Sequence, residues 1–140
     1  MDEQFPGPLH LAYLGDAVWE LHVRRTLLRG GPVRMDEVHR RAVGAVQAAA
    51  QAAALHRIEP FLTEEEKEVA RRGRNAKSSP PRGVDPVDYR YSTAFECLLG
   101  YLYYTGRMER LREVLRLAGD ALGVAESGPA DREGVGRRET

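Results

Sequence analysis

The sequence contains one cysteine, Cys97, so the chain cannot form a disulfide bond within itself. A fold that does not depend on disulfides is compatible with a reducing compartment, and we expect the protein to be cytoplasmic. No apolar run approaches the roughly 20 residues that a membrane span requires, and residues 1–6 lack the basic and apolar segments of a signal peptide. The sequence therefore predicts a protein that is neither exported nor inserted in a membrane.

The sequence also lacks an excess of charge of either sign, because 21 basic residues balance 21 acidic ones. The distribution of the charges is therefore more informative than their sum. Cations cluster in residues 71–83, here called the basic segment, which has no acid and enough glycine and proline to predict an irregular loop. A solvated loop is one interpretation, and contact with the backbone of a nucleic acid is the other. The candidates for such contact are Arg71, Arg72, Arg74, Asn75, Lys77 and Arg82.

No segment alternates apolar and polar residues in the way that a half-buried strand does. Apolar residues instead recur at three- and four-residue steps, which predicts a single all-helical domain, a bundle of about six helices. Two long helices are predicted over about residues 9–28 and 88–104. We assign residues 1–124 to this domain and expect residues 125–140, which are rich in glycine and charge, to be disordered.

Each of the two long predicted helices carries one acid in an apolar surround, close to a glycine. Asp16 follows Gly15 directly, and Glu96 lies one turn before Gly100. Glycine inside a helix costs about 1 kcal/mol relative to alanine, so a close crossing of the two helices is the expected reason for both glycines. At such a crossing the two carboxylates would meet, and a hard divalent cation such as Mg²⁺ would relieve their repulsion.

Other interpretations of these acids stay open at this point. An interior acid also pairs with arginine or accepts a hydrogen bond from a hydroxyl group, and Tyr13, Arg24 and Tyr101 are suitable partners. Glu20, one turn from Asp16, is either a further member of the site or one half of a solvated pair with Arg24. The histidines and serines form no recognisable arrangement of nucleophile and base.

Several segments of the chain resemble the ribonuclease III family. Residues 14–18, with the sequence LGDAV, are similar to the centre of the family's signature motif, and residues 95–103 resemble its second acidic motif. Residues 72–77 and 91–96, together with the short length of the chain, are similar more narrowly to the Mini-III ribonucleases, which consist of a catalytic domain alone. The resemblance extends from about residue 9 to residue 122.

The resemblance implies an all-helical homodimer that hydrolyses phosphodiester bonds of double-stranded RNA with Mg²⁺. Mini-III relatives mature the precursor of large-subunit ribosomal RNA, so this is the expected function, and a ribosomal protein or particle is a candidate further partner. A catalytically silent RNA-binding or ribosome-associated module of the same fold is the alternative. A third hypothesis is a helical interaction domain with no role in nucleic-acid binding. The neutral net charge is compatible with this hypothesis.

The resemblance also assigns roles to individual residues. It places Asp16 and Glu96 at catalytic, metal-binding positions. Glu20 and Thr93 are candidates for supporting these two acids from beside them. Longer family members carry further acids where this chain has Thr93 and an alanine at position 12, so fewer protein ligands are expected here. The first long helix is placed at the subunit interface, where Tyr13 and Trp19 would face the partner, with packing inside the domain as the alternative.

Overall fold

The computed structural model describes residues 4–30 and 34–121 of the 140-residue chain. All regular structure within these ranges is helical, as predicted. The six α-helices are α1 (Pro8–Arg29), α2 (Met35–Ala45), α3 (Ala48–Ile58), α4 (Glu64–Asn75), α5 (Pro86–Tyr104) and α6 (Met108–Ala121), with a 3-10 turn at Glu59–Phe61. The predicted domain boundary at residue 124 and the predicted disorder of residues 125–140 lie outside the described residues. Among those that are described, no helix is both long and apolar enough to cross a bilayer.

Helix α5 lies at the centre of the bundle and packs mainly against α1, α3 and α4. Its inward side chains, such as Phe95 and Leu98, are completely buried. Trp19 of α1 packs edge-to-face against Phe95, with 5.1 Å between the ring centroids, and its Nε1 donates a hydrogen bond to the carbonyl oxygen of Ala45 at 3.1 Å. The indole therefore ties α1 to α5 and to the end of α2.

Helices α1 and α5 cross at Gly15 and Gly100 with their backbones in direct contact. A Cβ atom on Gly15 would lie 1.8 Å from the carbonyl oxygen of Glu96, and one on Gly100 would lie 1.9 Å from that of Leu11. No side chain fits at such distances, so this crossing requires glycine on both helices. The close crossing predicted from the two helix glycines is confirmed.

The basic segment is not an irregular loop from its first residue, because α4 continues to Asn75. The helix begins at a capping box in which Thr63 and Glu66 bond to each other's backbone amides, and Glu68 pairs with Arg71 in its later turns. Gly73 does not end the helix, because it faces α5 where an added Cβ would lie 2.7 Å from the Cβ atom of Cys97. Packing against α5 therefore outweighs the low helix propensity of this glycine.

Glu66 is the charged residue that lies deepest in this part of the fold, with 3% of its surface exposed. Arg110 of α6 donates to both of its carboxylate oxygens at 2.8 Å, and also to the carbonyl oxygen of Phe61 at 2.8 Å. The hydrogen bonds from Arg110 hold the pKa of the Glu66 carboxyl below its usual range, against the opposing effect of burial. The pair fastens α6 to the start of α4.

Candidate active site

The crossing of α1 and α5 brings Asp16 and Glu96 together. Glu96 is half-buried, whereas Asp16 is exposed on the outer side of α1. Burial raises the pKa of the Glu96 carboxyl, and the negative charge of Asp16 and a hydrogen bond with it add to this effect, so that the pKa is about 8. The two acids meet as expected, but the apolar surround predicted for Asp16 is wrong, since this face of α1 points away from the core.

In the part of the chain that the structure describes, no positive charge compensates this acidic pair. Within residues 4–30 and 34–121, no lysine or arginine forms a salt bridge with either acid. Arg24 pairs with Glu20 at 2.7 Å on the exposed surface, as the simpler explanation predicts, and a role for Glu20 beside the two acids stays a prediction. The hydroxyl group of Tyr101 donates a hydrogen bond to the carboxylate of Glu65. Of the partners considered for Asp16 and Glu96, Arg24 and Tyr101 therefore bond to other acids, and Tyr13 is 84% exposed.

Thr93 does not offer its hydroxyl proton to the acids. The side chain is buried, and its Oγ1 donates to the carbonyl oxygen of Tyr89 at 3.0 Å, one turn earlier on α5. A role for Thr93 in supporting Asp16 or Glu96 stays a prediction.

Gln51 of α3 is the site residue that the sequence analysis missed. Its side chain is 1% exposed and approaches Glu96 closely enough to lower the pKa of that carboxyl, against the larger effects of burial and Asp16. Its Nε2 has no hydrogen-bond partner of normal geometry among the described residues. The available signal was a single amide within the alanine run of residues 48–54.

The acidic pair fits Mg²⁺ better than a metal that needs a full set of protein ligands. The described part of the chain contains no group of three or more histidine, cysteine, aspartate or glutamate residues arranged to hold a metal. Zinc sites in proteins normally use three or four such ligands. Magnesium is commonly bound by one or two carboxylates, and takes its remaining oxygen ligands from water and from substrate phosphates. Asp16 and Glu96 match this second pattern.

The structure divides the basic segment into paired and unpaired cations. Glu68 accepts hydrogen bonds from Arg71 at 2.7 and 3.0 Å and lies 3.6 Å from Arg72. Arg74 instead donates to the uncharged side chain of Asn75 at 3.2 Å. Lys77 and Arg82 are exposed in the connection between α4 and α5. No described acid forms a salt bridge with Arg74, Lys77 or Arg82.

Part of the basic segment also borders a cavity of about 480 Å³ between α3, α4 and α5. Arg71 and Arg74 line it on one side and Tyr91 on the other. Neither Asp16 nor Glu96 belongs to its lining. The cavity brings together residues 72–77 and 91–96, the two segments on which the narrower family resemblance rests.

The structure separates the two aromatic residues predicted at a subunit interface. Trp19 is 0% exposed, so it cannot contact a partner, and its assignment to the interface is wrong. Its large ring fills the core between α1 and α5, where its N–H group also finds an acceptor. Tyr13 is 84% exposed, and Leu21 and Leu28 are exposed with it along α1. An apolar stripe consisting of Tyr13, Leu21 and Leu28 thus covers the outer side of this helix.

Comparisons with known proteins agree with the helical fold. Residues 9–107 match the family described as Ribonuclease III domain. The chain is 56% identical over 114 residues to the Mini-ribonuclease 3 of Symbiobacterium thermophilum, covering 81% of this chain and 88% of that protein. The Mini-ribonuclease 3 of Desulfitobacterium hafniense is 46% identical over 132 residues, which cover 94% and 80% of the two chains. A crystal structure of a protein from Fusobacterium nucleatum has a TM-score of 0.71 at 30% identity, and the match covers 78% of this chain and 88% of that one.

The helical bundle, its crossing acids and the matched domain define one class of protein, and the chain belongs to the ribonuclease III family. Within this family its similarity is to the proteins named Mini-ribonuclease 3. The resemblance noted in the sequence is confirmed, as is the prediction that the protein is an endoribonuclease.

Proposed function

We propose that the protein is a Mg²⁺-dependent endoribonuclease that cleaves double-stranded RNA at the Asp16–Glu96 pair. The observation that carries this proposal is the meeting of two carboxylates at the accessible side of α1 without a compensating cation among the described residues. Two such groups do not ionise together cheaply unless positive charge comes from outside. Membership of the ribonuclease III family supplies the class of reaction.

Both acids would bind the cation, and the difference in their burial gives them different roles. When bound, Mg²⁺ activates a water molecule for attack and neutralises negative charge that develops on the phosphate. Glu96 is held in place by the surrounding helices and gives up its proton when the cation binds. Asp16 completes the pair from the solvent side, which is the side from which a phosphate of the RNA approaches.

A homodimer that packs through α1 is part of the proposal. The apolar stripe of Tyr13, Leu21 and Leu28 gives this helix an outer surface that a second copy would cover. A two-fold dimer presents its site twice, once for each strand of a duplex. Sedimentation equilibrium of the purified chain tests this part, since a monomer at micromolar concentration would contradict it.

The unpaired cations of the basic segment support contact with the RNA backbone. An A-form duplex is recognised mainly through its shape, its phosphates and its 2′-hydroxyl groups, and these accept hydrogen bonds from arginine and lysine. Asn75 is a suitable partner for a 2′-hydroxyl group. The proposal includes a precursor of large-subunit ribosomal RNA as the substrate, with a ribosomal protein or particle as a further partner, as the family resemblance of the sequence implies. A cytoplasmic location is included, and the free thiol of Cys97 is compatible with it.

The deciding experiment incubates the purified protein with duplex RNA in the presence of Mg²⁺ or EDTA and maps the ends of any products. Cleavage with Mg²⁺, its absence with EDTA, and 5′-phosphate ends are the expected results. Retention of the duplex without cleavage would instead support the catalytically silent RNA-binding module. Absence of salt-dependent binding to RNA would favour a helical interaction domain with no such role.

A further inference from the structure

Gln51 is a polar side chain that is buried among apolar residues on α3, and the packing of the helix does not require a polar residue there. It lies in an alanine run on α3 and is 1% exposed, yet its Nε2 lacks a hydrogen-bond partner among the described residues. An amide group that is buried without a hydrogen bond costs about 1–3 kcal/mol, judged from mutations in other proteins. An apolar side chain of the same size would avoid this cost.

The packing of α3 fixes the direction in which Gln51 points. Leu55, one turn later on the same helix, is 2% exposed and belongs to the main hydrophobic core. Ala52 is also buried, so α3 cannot rotate to bring the amide to solvent. The small alanines let α3 lie close to α5, where Glu96 is the group whose carboxyl the amide approaches. The amide is therefore a donor directed at the acidic pair.

We propose that Gln51 is a positioning residue, which donates a hydrogen bond from Nε2 to one carboxylate oxygen of Glu96 and so directs the other oxygen toward Asp16 and a shared divalent cation. This inference rests on the proposed function, because it concerns the same site. An ionised carboxylate has room to accept both bonds, since each of its oxygens carries two lone pairs. Without a cation, Glu96 bonds to Asp16, and the amide is left without a bond of normal geometry.

The substitution Gln51→Met tests the proposal, because it removes the amide and keeps the length of the side chain. Loss of a group that orients a metal ligand typically lowers metal affinity by about 10- to 100-fold. We expect a loss of this size for Mn²⁺ bound to the RNA-free protein, measured by electron paramagnetic resonance. The thermal midpoint without metal should stay the same or rise, because an unsatisfied amide has been removed. The matched control is Gln47→Met, one turn earlier at an exposed position, which should change neither quantity.

Kinetics separate positioning from a merely structural role. In Gln51→Met, the Mg²⁺ concentration for half-maximal cleavage should rise by about 10- to 100-fold, while the KM for RNA stays unchanged. Gln51→Asn retains a shorter amide and should recover part of the Mn²⁺ affinity. Wild-type Mn²⁺ affinity in Gln51→Met, or no difference between the Asn and Met variants, would overturn the proposal. Failure of the wild-type protein to cleave RNA would overturn the proposed function instead, and the Mn²⁺ measurement does not depend on that result.

Discussion

Glu66 is buried and Glu96 is half-buried, but their charged neighbours have opposite signs. Glu66 receives hydrogen bonds from Arg110 on both oxygens and from the backbone amide of Thr63, and its pKa lies below the usual range. Glu96 has an acid, Asp16, as its charged neighbour, and burial together with that neighbour raises its pKa to about 8. Arg110 compensates the first charge, whereas no lysine or arginine of the described ranges compensates the second.

This difference is the one expected between an acid that stabilises the fold and an acid that belongs to a functional site. A buried carboxylate with a cation and several donors holds two helices together, and breaking the pair leaves an uncompensated charge. A buried carboxylate beside a second acid makes the fold less stable whenever both are ionised. Such an arrangement is typical of a site that an external cation completes. The same reasoning applies to the basic segment, where Arg71 is compensated by Glu68 and Arg74 by no described acid.

The largest expected effect comes from removing the charge of Glu96 or Asp16, and removing that of Glu66 is the comparison. Glu96→Gln should reduce the rate of duplex cleavage by about a thousandfold or more, because a ligand that helps to stabilise several kcal/mol of developing charge is lost. Asp16→Asn should do the same. Glu66→Gln should retain most of the activity when the rate of duplex cleavage is measured below the unfolding temperature of this variant. A strong loss of cleavage in Glu66→Gln with the fold intact would break the comparison.

The meeting of Asp16 and Glu96 also depends on the backbone contact between α1 and α5 at Gly15, which the Glu66–Arg110 pair does not need. Gly15→Ala places a Cβ 1.8 Å from the carbonyl oxygen of Glu96, so the two helices must separate. We expect a loss of about 3 kcal/mol in the free energy of unfolding by urea, together with loss of cleavage. Gly44→Ala in α2 is the control, since its Cβ meets no atom within 4 Å. That variant should gain about 0.5–1 kcal/mol, and wild-type stability in Gly15→Ala would contradict the crossing.

Arg110→Ala tests the compensated pair directly. It leaves Glu66 buried without its cation, which should lower the free energy of unfolding at pH 7 by about 2–3 kcal/mol, toward the lower end for buried pairs because Arg110 is itself partly exposed. Arg107→Ala breaks the exposed pair with Glu65 and should change stability little. Urea unfolding of both variants provides the measurement. Equal losses in the two variants would show that burial of the pair has no consequence.

Paired and unpaired arginines of the basic segment should differ in their effect on RNA binding. Arg74→Ala should lower the slope of log affinity against log salt concentration by about 1, the value for one lost phosphate contact. Arg71→Ala should lower it less, because Glu68 already holds that guanidinium at 2.7 Å. Binding of the Asp16→Asn protein to duplex RNA at several salt concentrations measures both slopes without cleavage. Identical slopes for the two variants would contradict the distinction.

The most gradual effects are the two limbs of the stability profile against pH, each with a slope of at most about 1.4 kcal/mol per pH unit for one group. The lowered pKa of Glu66 contributes stability that is present above its ordinary value and lost as the pH falls below it. The raised pKa of Glu96 contributes stability that is present below its ordinary value of 4.5 and lost as the pH rises toward 8. In EDTA, Arg110→Ala should flatten the acidic limb and Glu96→Gln the alkaline one. If the slope of stability against pH is unchanged in these variants, the pH dependence arises from other groups.

Much of the fold was predictable because local signals and packing agree. The three- and four-residue spacing of apolar side chains located the long helices to within about two residues, close to the usual uncertainty of such boundaries. Glycines at positions 15 and 100 predicted a close crossing, since nothing else justifies their cost inside a helix. The meeting of Asp16 and Glu96 followed from that crossing.

The errors have a common cause, which is that the decisive contacts come from distant parts of the chain. Helix α1 carries large apolar residues both on its buried side, such as Trp19, and on its exposed side, such as Leu21, so periodicity alone cannot tell the two faces apart. Residues 71–83 were predicted to form an irregular loop, but α5 packs against Gly73 and α4 continues to Asn75. The position of Gln51 beside Glu96 depends on how α3 packs against α5, which no local pattern reveals.

The burial of Trp19 has a practical consequence for spectroscopy. It is the only tryptophan of the chain, it is completely buried, and its ring touches Phe95, the residue before Glu96. Fluorescence excited at the red edge of protein absorption therefore originates from a single indole at the junction of α1 and α5. A shift of its emission toward longer wavelength reports water entering at that junction, which lies next to the acidic pair. The protein thus carries its own optical probe beside the site, and no label has to be introduced.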